Sequence, residues 1–283
     1  NYLNIPSDYA FMVLGSEGRM EQTLKTDQDN AIVFDDNLNE EDKKKIESFS
    51  EKLISALIYI GIPECPGGIM AKNPFWRKSF SEWKKTLNNW ITVPEPENTL
   101  NYSMFSDLRT IYGKIDFEKR LKEHILKLIQ ENRLFLAHLA KNVMRFPPPL
   151  SFFGNIKLEK TGQYKGAFDI KKAGIFPITE GIKILALDSG IIDGGTKTKI
   201  GKLIEKNVLP YDDLLEIETS FSFFVSMRLK SQLLELQRGK TPSNFVFLSD
   251  LNHIEKERLK IGFSAVKMIQ GILKERYNLN QIS

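Results

Sequence analysis

The sequence predicts an α+β module with a small mixed sheet over residues 1–148, followed by an all-α helical bundle over residues 149–283. Three observations carry this expectation. Two short apolar runs, at 9–14 and 31–34, bracket a glycine-serine turn and an acidic stretch. Apolar residues then recur at three- and four-residue spacing through long segments, as they do in helices with one buried face. Pro147, Pro148 and Pro149 interrupt that pattern, because three consecutive prolines cannot continue a helix, and the pattern beyond them is mostly helical.

The first run, 9–14, reads as a buried strand that ends at Gly15, where the backbone can bend sharply and a ligand can approach without a Cβ in the way. Residues 17–24 are expected to form a short helix whose positive N-terminal end favours an anion. Residues 26–30 (Thr-Asp-Gln-Asp-Asn) lead into the second apolar run as a strand, which puts Asp27 and Asp29 on one face and Gln28 on the other. Two like charges so close repel, so the arrangement suits a bound cation.

Residues 39–59 with Ile60 place Ile46, Phe49, Leu53, Ala56, Leu57 and Ile60 on one helical face, begun by Asn39 and acids and stopped at Gly61. A loop follows at 63–74, with Gly67 and Gly68 at its centre. Trp76, Trp83 and Trp90 recur every seven residues, which reads as the core stripe of one helix; a base-stacking surface is the alternative. Pro94-Glu95-Pro96 is a rigid connector into a strand over 104–112, where Asp107 is the only acid and Arg109 shares its face. Residues 117–146 read as one long helix, and the domain boundary is expected at 147–154. Helices at 177–189, 196–207, 211–238 and 254–277 then suggest the bundle, with Gly190, the Asp193-Gly194-Gly195 run and Gly239 as stops.

Composition sets bounds on function. The 283 residues, 41% of them hydrophobic, suffice for two domains with real cores. No apolar run approaches the roughly 18 residues of a membrane span, and no basic-plus-apolar signal segment opens the chain. A single cysteine, Cys65, is expected to exclude an internal disulfide framework and any cysteine-based zinc site, and suits a reducing cytoplasm; its expected role is packing beside a glycine-rich loop. His124, His138 and His253 are too far apart in sequence to form a recognisable metal pair. A net charge of +4 does not mark a dedicated nucleic-acid binder, and Lys43-Lys44-Lys45 lies among acids on a solvated helix face.

The order strand, Gly15-Ser16, short helix, then Asp27-Gln28-Asp29 resembles the nucleotidyltransferase superfamily of polymerase β. The form Gly15-Ser16-x-Gly18-Arg19-x-Glu21 is similar to one branch of it, related to the uridylyltransferases and adenylyltransferases of PII proteins and usually found downstream of cyclic-nucleotide-binding and CBS modules. Further segments match that branch in order: Cys65-Pro66-Gly67-Gly68-Ile69-Met70-Ala71, Trp76-Arg77, Trp83, the run from Phe105 to Gly113, and the run from Gly166 to Ile178.

The resemblance implies a cytoplasmic, Mg²⁺-dependent (or Mn²⁺-dependent) enzyme that moves a nucleoside monophosphate from a nucleoside triphosphate, ATP among the candidates, to a protein or small-molecule acceptor. Asp27, Asp29 and a third acid, assigned to Asp107, would hold metal, with Asp107 also orienting the nucleophile. Gly15, Ser16 and Gly18 would receive the phosphates, Arg19 would add a positive charge to phosphate or to a neighbouring carboxylate, Arg109 would touch phosphate or neutralise the acids, and Lys72, near Gly67, Gly68 and Met70, would offer a charge. The C-terminal half would bind substrate, with Lys171 and Lys172 beside Asp169, and Arg228 and Gln232, as polar contacts. Asn1-Tyr2-Leu3 lacks an initiator methionine, so signalling modules of a longer chain are expected upstream. The competing expectation is a nucleotide-binding regulatory module that has lost its chemistry.

Overall fold

A computed structural model describes residues 5–151 and 155–281. The chain divides into two compact units, Asn1–Gln22 with Thr26–Asn132, and Thr23–Lys25 with Arg133–Ser283. The expected boundary at 147–154 includes 152–154, which lie outside the described residues, as do Asn1, Tyr2 and Leu3. The proline run itself falls within the second unit, after its first long helix.

In the first unit a four-stranded sheet has the order β3-β2-β1-β4. The central strand β1 (Tyr9–Val13) is buried along its whole length and pairs antiparallel with β2 (Asn30–Phe34) on one side and β4 (Arg109–Gly113) on the other. The short edge strand β3 (Arg77–Ser79) runs parallel to β2. Val13 thus pairs with both Asn30 and Arg109, which brings the acid-bearing segments before β2 and β4 to one end of the sheet.

Four expectations are corrected here. The helix expected at 17–24 is a single turn, α1 (Gly15–Gly18), after which Met20 takes a positive φ of 58° and the helix cannot continue. Asp27 and Asp29 precede β2 rather than lie within it; they sit in an extended approach where Gln28 bridges to Glu64. The strand expected at 104–112 begins only at Arg109, because Pro96 initiates helix α4 (Pro96–Phe105) and Asp107 falls in the turn between. The helix expected over 117–146 is two, α5 (Asp116–Glu131) and α6 (Leu134–Val143), broken where Asn132 leaves helical geometry and caps the carbonyl of Leu128.

Helix α2 (Glu40–Tyr59) is N-capped by Asn39, which accepts from the amide of Asp42, and buries Ile46 and Ile54. Lys43 and Lys45 pair with Glu40, Glu41 and Asp42 on its outer face, the solvated arrangement their sequence context suggests. Only Trp83 and Trp90 of the aromatic stripe lie on α3 (Phe80–Thr92); Trp76 lies in a 3-10 turn before β3. All three are buried and in mutual ring contact, and Trp83 stacks on Phe105 with centroids 4.3 Å apart. They form core and offer no face for stacking a base.

In the second unit α7 (Phe176–Asp188) is almost wholly buried and packs against α6, α8 (Thr196–Glu205) and α10 (His253–Arg276), while α9 (Tyr211–Gln237) lies along α8 and α10. Gly181 and Gly262 permit this closeness: a Cβ on Gly181 would meet Ile269 at 2.5 Å, and one on Gly262 would meet the Phe224 ring at 2.7 Å. A two-stranded antiparallel ribbon, β5 (Ala167–Asp169) with β6 (Phe245–Phe247), joins the bundle. Strands of three residues carry too little alternation to be seen in sequence.

Candidate active site

The site grows from the end of β1. Leu14 donates its amide to the carbonyl of Asp29 at 2.8 Å, and the chain turns at Gly15, whose φ of +51° lies in the left-handed region that favours glycine. A Cβ there would lie 3.3 Å from Asp29 Oδ2, so the turn and this buried carboxylate are immediate neighbours. Ser16 and Glu17 fill the middle of α1, and the leading N–H groups of such a turn have no acceptor within the helix.

Three contacts clamp α1 to the segment 107–109. Gly18 packs so close to Asp107 that a Cβ would lie 1.9 Å from its carbonyl oxygen. Arg19 Nη1 pairs with the fully buried Asp107 carboxylate while its Nε donates to Glu21 at 2.7 Å. Arg109 returns the contact, with Nε donating to the Gly18 carbonyl at 3.2 Å and Nη2 to that of Glu17 at 3.0 Å. Of the two alternatives open for Arg19, phosphate or a neighbouring carboxylate, its donors meet the carboxylates of Glu21 and Asp107, while Arg109 directs its donors to backbone carbonyls.

Beneath the turn the loop expected at 63–74 runs alongside the acids. Gln28 donates its amide to the Pro63 carbonyl and Asn30 to that of Ile69, and between these Cys65 comes against Asp29. One oxygen of Asp27, one of Asp29 and the Cys65 sulfur all lie within 4.8 Å of one another. Burial, with the Asp29 carboxylate accepting from the thiol, pushes the Cys65 pKa up to about 11, so the thiol is protonated and no ready nucleophile. Asp107 does not join this trio within that distance; its Oδ2 is paired with Arg19.

Two carboxylates beside a phosphate-sized turn fit Mg²⁺, which is commonly held by one or two carboxylates together with water and substrate phosphate. A cavity of about 530 Å³ opens on the other side of the strand approach, lined by Glu17, Gln22, Thr26, Gln28 and Asn30 at its polar end and by β1 and α2 side chains at its apolar end. Burial raises the pKa of Glu17 at its rim; the charge of Arg109 opposes this and that of Asp29 adds to it.

The remaining expected contacts sit as follows. Lys72 pairs with Glu64, and the turn carrying Gly67, Gly68 and Met70 closes with the Gly68 amide on the Cys65 carbonyl. In the second unit Lys171 and Lys172 open a π-helical turn after β5, with Lys172 exposed and 4.0 Å from Asp169. Arg228 and Gln232 are buried on α9, where they hydrogen-bond Asn244, Ser243 and the backbone of Lys25. His124, His138 and His253 join no metal-capable group among the described residues.

The residue that sequence reasoning did not place at the site is Cys65. Its signals were the glycine-rich loop and the family-like segment it opens, neither of which places it beside the acids, since the pairing of Gln28 with Glu64 that delivers it is non-local.

A family model described as "Putative nucleotidyltransferase substrate binding domain" matches residues 133–277, and one described as "Putative nucleotidyltransferase DUF294" matches residues 3–97. No curated protein matches the chain.

Proposed function

The chain belongs to this family of nucleotidyltransferases with a C-terminal substrate-binding domain, and from that membership we propose that it is a Mg²⁺-dependent enzyme. It transfers a nucleoside monophosphate from a nucleoside triphosphate to an oxygen of a protein or small-molecule acceptor. The observation that supports this most is the placement of the buried Asp29 carboxylate directly against the Gly15 turn, with an Asp27 oxygen within 4.8 Å of it. A solvated acidic bend would have no reason to be buried against such a turn.

In this reading the acceptor oxygen attacks the α-phosphorus, the bond to the bridging oxygen of pyrophosphate breaks, and the acceptor proton leaves to solvent. Gly15 lets the triphosphate approach the backbone, and Ser16 adds a hydroxyl donor. Mg²⁺, held when bound by Asp27 and Asp29, supplies neutralisation of the phosphate charge. Arg19, Asp107 and Arg109 are positioning residues that hold the turn against β4. The cavity beside Glu17 is large enough for a nucleoside-sized group. Lys171 and Lys172 belong to the substrate-binding domain and meet an anionic acceptor in this proposal.

The test measures pyrophosphate release and thermal stabilisation with each common ribonucleoside triphosphate, with and without Mg²⁺, for the wild type and Asp27→Asn/Asp29→Asn. Ligand at 100 times its Kd stabilises by about 2.7 kcal/mol. Metal-dependent stabilisation and turnover in the wild type, both lost in a folded double variant, are expected. Binding without turnover would favour a silent regulatory module, and metal-independent binding unchanged by the double variant would overturn the site.

A further inference from the structure

The trio at the site contains a donor that magnesium does not want. Asp27 and Asp29 offer hard carboxylate oxygens, but the third atom within 4.8 Å is the Cys65 sulfur. Thiolates select ions such as Zn²⁺ and Cd²⁺, whereas Mg²⁺ takes oxygen. Donors sharing one tetrahedral Zn²⁺ stand about 3.5 Å apart, given bonds of about 2.0–2.2 Å to oxygen and 2.3 Å to sulfur. Closing the trio on an ion therefore needs side-chain movement of about an ångström.

The sulfur is held in place. Gln28 bridges to Glu64, so Cys65 falls beside Asp29, and the Gly68 amide closes the turn on the Cys65 carbonyl at 2.9 Å. Both Cys65 and Asp29 are more than nine-tenths buried, and Asp27 is the half-buried member that leaves the trio open on one side.

The geometry points to Cys65 as a ligand that lets the Asp27–Asp29 pair capture a thiophilic divalent cation, Zn²⁺ or Cd²⁺, in a three-donor set with a fourth position open to water or a phosphate oxygen. This rests on the reading of Asp27 and Asp29 as metal carboxylates given above. On binding, the sulfur–metal bond forms and the thiol proton passes to solvent, with no change of oxidation state. Such an ion occupies the carboxylates that Mg²⁺ requires, so Cys65 makes the transferase sensitive to thiophilic metals.

The test is titration of the chain with Cd²⁺ in the absence of nucleotide, following the sulfur-to-cadmium charge-transfer absorption, together with Zn²⁺ affinity by competition against a chromophoric chelator. Cys65 is the only cysteine, so a thiolate band reports that residue alone. One equivalent of Cd²⁺ is expected to saturate the band in the wild type, and Cys65→Ser to abolish it. Cys65→Ser should also weaken Zn²⁺ measurably, because it removes the soft thiolate that selects this ion, with Mg²⁺ affinity unchanged. Absence of the band in the wild type overturns the proposal without recourse to any variant, as does equal Zn²⁺ affinity in a Cys65→Ser protein that unfolds like the wild type. Turnover with no band sinks this inference alone, while a band with no turnover sinks only the transferase reading.

Discussion

Arg19 closes an ion pair on Asp107, 88 positions away in sequence, with the Asp107 side chain fully buried. The pair fastens the turn after β1 to the approach to β4, so two separate segments are held as one site wall. Arg19→Ala strips the guanidinium from a buried carboxylate and is expected to cost about 3–5 kcal/mol in urea denaturation. Lysine cannot serve Glu21 and Asp107 with one planar fork, so Arg19→Lys should recover only part of the loss. A loss for Arg19→Ala within about 1 kcal/mol, the range of an exposed pair, would contradict this account.

The two glycines of the turn are held for different reasons. Gly18→Ala places a Cβ 1.9 Å from the backbone oxygen of Asp107, which can yield only by moving the chain, and is expected to cost upwards of about 3 kcal/mol. Gly15→Ala meets the flexible end of Met104 at 2.8 Å and adds strain from its positive φ, for a smaller loss of about 1–2 kcal/mol. Chemical denaturation of both variants gives the order directly, and a reversed order would show that the close approach at Gly18 is relieved.

Glu17 gives a pH signature. Burial raises its pKa above the ordinary 4.5, so the folded protein binds this proton more readily than the unfolded chain does. The stability it contributes is therefore fully present below 4.5 and is lost as pH rises through the raised value. Glu17→Gln lacks this loss: it should unfold at a higher temperature than the wild type at neutral pH, with the gap narrowing toward zero below pH 4.5. Melting curves across that range would refute the assignment if the gap stayed constant.

Trp83 donates its indole N–H to the carbonyl of Ile32 at 2.9 Å from a fully buried position. Trp83→Phe removes that donor within the core and is expected to cost about 1–3 kcal/mol. Because the ring faces core, triphosphate affinity measured well below the melting transition should stay at the wild-type value. A selective loss of affinity would revive the base-stacking alternative.

Much of the scaffold was legible before any fold was known. Asn39 as a cap, the apolar spacing of α2, and the glycine and proline punctuation of α7 to α10 act through local geometry, and those helices lie where that geometry puts them. The Gly15-Ser16 turn and the alternation of Asp27 with Gln28 are local in the same sense. Legibility failed where local signals competed. Pro96 started a helix that ran through Phe105 and displaced the strand that was to carry Asp107, and Asn132 broke a helix whose apolar period continued across it.

By itself, then, the chain determined α2 and α7 to α10, its glycine turn and the spacing of its acids, because these depend on residues within a turn or two of one another. Only the tertiary structure decided what each acid meets. Sheet order sent Asp107 to Arg19, and the bridge from Gln28 to Glu64 sent Cys65 to Asp27 and Asp29. Neither pairing leaves a local trace, since the contacts that fix them join segments far apart in sequence and form only as the sheet and its flanking loops close together.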